Sequence, residues 1–253
     1  MATYVVSDLH GQYGIFRQGL KAIDLKDDDM LYVIGDVIDR GDDGIKILEY
    51  IRRHKNMDLL LGNHEHMMIN SVDPDGGEEC VGIDTKLWIY LNGGLNTYTD
   101  YLKLTKRSRK RLYNWLCNRY VIRTIEVKGK KFCLTHSYYN EKCVNKRCRE
   151  LDYDTAWEIV WLSMFRDDPS TRCDDVYSTH KEYSFITGHV PVHKVRMTHA
   201  ADEDFTKLKL YKHSNLIDID GGCAFQGRYG VESGALFLRL DDMKVFPIPI
   251  ITG

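Results

Sequence analysis

Three observations predict an α/β fold for this chain. Short apolar runs recur along it: Tyr4-Val5-Val6, Met30-Leu31-Tyr32-Val33-Ile34, Leu59-Leu60-Leu61, Phe132-Cys133-Leu134 and Phe185-Ile186-Thr187. They are too short for helices and suit buried strands. Each run then stops at a polar ending, Ser7-Asp8-Leu9-His10-Gly11, Gly35-Asp36-Val37-Ile38-Asp39-Arg40-Gly41, Gly62-Asn63-His64-Glu65, Thr135-His136 and Gly188-His189. Between the first runs the apolar spacing turns helical, which completes strand–loop–helix–strand units.

The elements follow in order. Residues 13–23 place Ile15, Phe16, Leu20 and Ile23 at helical spacing. Asp27-Asp28-Asp29 reads as a solvated acidic turn. Asp42 or Asp43 is placed to cap a helix that turns Ile45, Leu48 and Ile51 inward. From Met67 to Tyr120 the spacing is mostly helical, with a turn at Asp73-Pro74-Asp75-Gly76-Gly77 and helices expected over 83–91, 95–104 and 106–119. This region, around 67–120, is expected to be a helical insert lying over one side of the site. Its basic run Lys106–Arg111 reads as a solvated helix face. Ile122–Val127 and Lys131–Leu134 flank Lys128-Gly129-Lys130, a hairpin signal. One amphipathic helix, Thr155–Phe165, is expected in the polar stretch 140–180. Val190-Pro191-Val192 reads as a turn. Leu216–Gly222 and Ala235–Leu240 read as late strands, with a hairpin turn at Asp241–Lys244. Without repeats or low-complexity tails, one domain over 1–253 is expected.

Composition narrows the function classes. The 253 residues are 43% hydrophobic, enough for a sizeable core. Lys and Arg number 35 against 37 Asp and Glu, for a net charge of −2. No general pull toward nucleic acid or an anionic membrane is expected from that balance. No secretory or membrane-spanning segment is read. The seven cysteines show no Cys-x-x-Cys pair and are expected to be free thiols in a reducing cytoplasm. Cys143 and Cys148 lack a second Cys/His pair at zinc-finger spacing, so they are read as thiols too.

The strand endings carry the chemistry. Ligands of open α/β sheets collect outside the carboxyl ends of strands. Five strands would bring Asp8, His10, Asp36, Asn63, His136 and His189 to one edge. On extended backbone Asp8 and His10 point the same way, and His64 points away from Asn63's side. No thiolate is among the donors, which argues against structural zinc or an iron–sulfur cluster. Three imidazoles argue against a magnesium or calcium cage. Mixed imidazole and carboxylate suits manganese, iron or zinc. Six donors suit two ions sharing one carboxylate, with Asp36 the natural bridge. Such pairs activate water and clamp an in-line displacement at phosphorus.

In order and spacing, Asp8-Leu9-His10-Gly11, Gly35–Gly41, Gly62–Glu65, His136 and Gly188-His189 resemble the signature of the phosphoprotein phosphatase family of calcineurin-like metallophosphoesterases. The resemblance runs from residue 3 to about residue 245. Met67-Met68 and Asn92-Gly93-Gly94, the latter after a Trp-containing helix, resemble its small bacterial and bacteriophage branch, typified by phage lambda phosphatase. The resemblance implies a β-sandwich of two mixed sheets flanked by helices. It implies two divalent cations, manganese foremost, with Asp8, His10 and Asp36 holding the first and Asp36, Asn63, His136 and His189 the second. Water shared by the cations would attack phosphorus directly. His64 would act as general acid, Asp39 would orient it, and Arg40 would fork onto phosphoryl oxygens. A second phosphate-binding arginine is expected at Arg166, with Arg172 and Arg149 as alternatives. The implied activity is a metal-dependent phosphomonoesterase of the serine/threonine protein phosphatase type, tolerant of phosphotyrosine, acting on a phosphorylated protein or small phosphomonoester. The alternatives are a symmetrical dinucleoside polyphosphate hydrolase and a non-catalytic binding module of the same fold.

Overall fold

The computed structural model describes residues 1–164, 179–199, 204–228 and 230–251. Two five-stranded mixed sheets form its centre. In the first, β1 (Thr3–Ser7), β2 (Met30–Ile34) and β3 (Met57–Leu60) run parallel, and β9 (Gly234–Arg239) and β10 (Lys244–Pro249) add an antiparallel edge. In the second, β5 (Lys130–Thr135), β6 (Tyr183–Thr187) and β8 (Leu216–Asp218) run parallel, flanked by antiparallel β4 (Ile122–Val127) and β7 (Tyr211–His213).

The alternation of strand side chains builds two cores. Val5, Ile34 and Leu60 of the first sheet meet Phe132, Leu134, Ile186 and Ile217 of the second. Tyr4, Val6, Leu31, Val33 and Leu59 turn the other way, onto α1 (Tyr13–Ala22) and α2 (Gly44–Arg53) through Phe16, Leu20, Leu48 and Ile51. Each fully buried Leu or Ile stabilises the fold by about 1.5–3 kcal/mol. The parallel strands β1, β2 and β3 of one sheet and β5 and β6 of the other therefore deliver their carboxyl ends to one region.

The helical insert departs from expectation in detail. It begins inside the Asn-His-Glu block, with α3 at Asn63–Ile69. Of 83–91, Leu87–Leu91 forms a π-helical turn; α4 (Leu95–Leu102) and α5 (Lys106–Cys117) follow. Asp43 occupies the N-cap of α2, but its side chain makes no capping bond. Asp42 instead accepts from Asn96 of α4 at 2.9 Å, tying the insert to the loop after Arg40. The later helix α6 starts at Tyr153, because Asp152 caps it by accepting from Thr155 N at 2.8 Å, and ends at Trp161, where the backbone of Leu162 turns extended. Val192–His199 forms α7 where only a turn was expected. Cys143 and Cys148 are buried free thiols, as are Cys133 and Cys223. Among the described residues no helix is long and apolar enough to cross a membrane.

Candidate metal centre

The residues beyond the strand ends leave extended geometry. Asp8, His10, Asp36, Asp39, Arg40 and His189 all have positive φ, between 41° and 73°. That conformation costs an L residue about 1–2 kcal/mol. The loops after β1 and β2 hold it by running side by side: His10 N donates to Asp36 O at 2.9 Å, Gly11 N to Val37 O at 2.8 Å and Gly41 N to His10 O at 3.1 Å. Asp8 and His10 are thus aimed by a left-handed loop and not by strand alternation. Close packing is demanded at Gly188, where a Cβ would stand 2.1 Å from Asp8 Oδ2.

The two sheets' donors converge on Asp36. His10 Nδ1–H donates to Ile38 O at 3.1 Å, and His136 Nδ1–H donates to Ile34 O at 3.1 Å. Both rings are thereby locked with Nε2 facing inward. His136 Nε2 lies 3.4 Å from Asp36 Oδ2 and 3.0 Å from Asn63 Oδ1. His189 Nδ1 lies 3.0 Å from the same amide oxygen. His10 Nε2 lies 3.9 Å from Asp36 Oδ2. Two sets of donor atoms result, His10/Asp36/His64 and Asp36/His136/His189, each within 4.8 Å, with Asp36 common to both. Asp8 stands beside them and accepts from His189 N at 3.1 Å through Oδ2.

The electrostatics match a cation site. Burial lowers the basicity of His136, but the adjacent Asp36 carboxylate overrides it and lifts the imidazole to about 10. Burial works against Asp36 ionising, yet His136 and His64 hold it well below the usual carboxylate range. Burial and the charge on His136 push His189 down to about 3. Burial lowers His10 as well, and burial with Asp220 nearby raises Asp8. A proton on His136 answers a concentration of acceptor atoms that divalent cations answer better. These are imidazole nitrogen and carboxylate or amide oxygen donors, a set that suits manganese, iron or zinc.

His64 belongs to helix α3, so the extended-backbone expectation for its direction fails. Its N–H donates to Asp36 Oδ1 at 3.0 Å, which sets the shared carboxylate on the first turn of α3. Its ring does not turn away: Nε2 is 3.8 Å from Asp36 Oδ2. Its Nδ1–H donates to Asp39 Oδ2 at 2.6 Å, both groups fully buried. Arg40 is exposed and reaches back, with Nη2 3.2 Å from His64 Nε2 and Nη1 3.4 Å from His10 Nε2.

Several participants escaped the sequence reading. Glu65 accepts from Asp36 N at 2.8 Å, Val37 N at 2.9 Å, Ile38 N at 3.4 Å and Gly62 N at 3.1 Å. Burial and the charge on Asp36 raise it to about 7. Asp218 and Asp220 bring buried carboxylates to the end of β8, a sixth strand ending. The signal was present: Leu216-Ile217-Asp218-Ile219-Asp220 repeats the pattern of the other five, an apolar run that stops at a metal-binding type of residue. Arg166 and Arg172 lie outside the described residues. Arg149 lines a cavity of about 200 Å³ with His66, Asn70, Cys117 and Tyr153, none of them among the donors above.

Two sheets thus pool imidazoles and carboxylates around one shared carboxylate, beside an arginine, as a site for divalent cations would need. The chain belongs to the calcineurin-like phosphoesterase family, whose sequence profile matches residues 1–219. It is 38% identical over 71 residues to a symmetrical bis(5'-nucleosyl)-tetraphosphatase of Buchnera aphidicola, covering 27% of this chain and 26% of the relative. A protein of the same name from Wigglesworthia glossinidia brevipalpis is 39% identical over 67 residues, 26% of this chain and 25% of its own. The chain thus aligns with about a quarter of the length of these relatives. Among solved structures, the fold resembles a serine/threonine phosphatase from Saccharomyces cerevisiae, with a TM-score of 0.58 at 11% identity, over 100% of this chain and 80% of that one. It also resembles a protein provisionally named a diadenosine tetraphosphatase, with a TM-score of 0.59 at 15% identity, over 99% and 94% of the two chains.

Proposed function

We propose that this chain, acting as one domain over residues 1–253, hydrolyses dinucleoside polyphosphates symmetrically with two divalent cations, manganese foremost. The observation that carries the chemistry is the place of Asp36 Oδ2, 3.4 Å from His136 Nε2 and 3.9 Å from His10 Nε2, between two donor sets. Asp8, His10 and Asp36 hold one cation; Asp36, Asn63, His136 and His189 hold the other. When bound, the cations supply an activated water and neutralise charge developing at phosphorus. Arg40 grips phosphoryl oxygens as a planar fork. His64 protonates the departing oxygen, and Asp39 holds its ring in place. Its Nε2 is near enough to Asp36 to be a ligand instead, but Arg40 beside it favours the phosphate side. The substrate class is supported by the names of the relatives that share the 71-residue stretch, and it displaces the phosphoprotein reading from first place. Free thiols among the described cysteines support a cytoplasmic setting.

The protein phosphatase reading stays second. The exposed Arg40 guanidinium between His10 and His64 also suits the dianionic terminal group of a phosphomonoester, and the phage-type motif Asn92-Gly93-Gly94 favours that branch. The test is kcat/KM on diadenosine tetraphosphate and on a phosphoserine peptide, with manganese, iron or zinc added. Two ADP per substrate and a higher kcat/KM on the dinucleotide are expected. A higher value on the peptide reverses the order. No turnover of either by wild type, or equal rates for Asp36→Asn, would remove both readings.

A further inference from the structure

We propose that Trp88 of the insert is a positioning residue for the reaction, its indole N–H fixing the carboxylate on which His64 is hung. This rests on the reading of His64 as the acid. The Asp39 carboxylate uses one oxygen for two donors: His64 Nδ1–H at 2.6 Å and Trp88 Nε1–H at 2.9 Å both reach Oδ2. The other oxygen, Oδ1, is buried without a hydrogen-bond partner. Two donors on one oxygen determine how the carboxylate is turned. With the indole N–H gone, the imidazole alone decides, and either oxygen serves it equally well.

The insert braces the whole Asp39–Arg40 step. Asp39 and Arg40 are consecutive residues with φ of 69° and 66°, a strained pair for non-glycine side chains. Asp39 N donates to Thr97 Oγ1 at 2.9 Å, and Arg40 N donates to Gly93 O at 3.2 Å. Together with the indole, this makes three contacts from one segment of the insert onto two residues of the catalytic loop.

The sequence of that segment is built around the indole. Trp88 is fully buried and sits in the π-helical turn, a widened coil that is frequent at functional sites. Trp88 N donates to Asp84 O at 2.8 Å, and Asn92 Nδ2 donates to Leu87 O at 2.9 Å to close the turn. Gly94 leaves the indole its room, since a Cβ there would stand 2.6 Å from Trp88 Nε1. The Asn92-Gly93-Gly94 motif thus acquires a reason: it closes the coil, reaches Arg40 and admits the indole.

The experiment uses the full chain with manganese and three variants: Trp88→Phe, His64→Asn and the double variant. A fourth protein carries 3-benzothienylalanine at position 88, which keeps the shape of tryptophan and replaces N–H by sulfur. It keeps the test sound where Trp88→Phe does not fold. Substrates are an alkyl phosphate and p-nitrophenyl phosphate. The expected result is a loss of about tenfold in kcat on the alkyl ester, a part of what a positioned acid contributes. The loss is expected to be about threefold or less on the nitrophenyl ester, whose leaving group needs no proton, with KM and bound manganese changed less than about twofold. In the His64→Asn background the position-88 change is expected to add nothing. Equal losses on both esters, or full additivity in the double variant, would show a merely structural tryptophan and overturn the proposal. A His64→Asn variant blind to the leaving group removes the acid itself, an outcome distinct from failure of the tryptophan alone.

Discussion

Replacing Glu65 by Gln is expected to weaken both the fold and the metal centre. The two Glu65 oxygens accept four backbone N–H groups, three from the loop carrying Asp36 and one from Gly62. Glutamine has one carbonyl oxygen. Whichever way its amide turns, the NH₂ end faces backbone donors and cannot accept from them. If the NH₂ takes the place of Oε2, the bonds from Asp36 N and Gly62 N are lost; in the other orientation those from Val37 N and Ile38 N go. In buffer well above pH 7, where Glu65, raised to about 7 by burial and Asp36, is ionised, hydrogen bonds to its charged carboxylate contribute about 1.5–3 kcal/mol each. Taking the low end for two bonds gives about 3 kcal/mol. At about 2–4 °C per kcal/mol for a chain of this size, the midpoint should fall by about 6–12 °C. The assay is thermal unfolding with chelator and again with manganese, beside calorimetric manganese titration. Asp36 N is one of the groups at stake, so weaker manganese binding should accompany the lower midpoint. A midpoint within about 2 °C of wild type, with manganese affinity unchanged, refutes the reasoning.

Four further outcomes are expected. His64→Asn should lose about 10²–10⁴ in kcat on an alkyl phosphate and much less on diadenosine tetraphosphate, whose nucleotide leaving group is a weak base, while metal analysis still finds two ions per chain. Asp36→Asn should bind fewer than two manganese ions per chain by the same analysis, because both donor sets share that carboxylate. Gly188→Ala should lose activity at limiting manganese, because the new methyl carbon meets Asp8 Oδ2 at 2.1 Å and Ser7 Oγ at 2.6 Å; an unchanged manganese requirement counts against Asp8 as a ligand. His66 is buried, and its pKa is lowered by that burial from 6.5 to about 4. The unfolded chain then binds more protons between these values, so stability present above pH 6.5 is lost as pH falls toward 4, by up to about 3 kcal/mol. His66→Gln should flatten that part of the urea-midpoint profile relative to wild type; parallel profiles would show that His66 is not the titrating group.

The strands and their polar endings were readable because burial writes itself as apolar runs and because Asp, Asn and His are conspicuous where such runs stop. The route by which these residues meet was not readable. Asp8 and His10 converge through left-handed backbone, which alternation rules do not describe. His64 was misdirected because Asn63 opens a helix where the preceding Leu59-Leu60-Leu61 suggested continued strand. Trp88 stands 49 positions from Asp39, and nothing local in Leu87–Leu91 announces a partner that distant. Glu65 was visible as a motif letter only, since its partners are backbone amides and amides have no sequence signature. Asp218 and Asp220 were legible in kind, but a carboxylate pair in a late strand gives no sign of how close it comes to Asp8.

The centre draws Asp8, His10, Asp36 and Asn63 from one sheet and His136 and His189 from the other. An ion seated there is a rivet through two plates. It joins halves of the molecule that otherwise adhere through a shared oily layer and a few polar contacts such as His136 Nδ1–H to Ile34 O and His189 N to Asp8 Oδ2, so losing it should let them creep past one another. Hydrogen exchange after chelation should therefore quicken along β5 and β6 as well as at the loops. In this design catalytic readiness and mechanical cohesion are drawn from a single source.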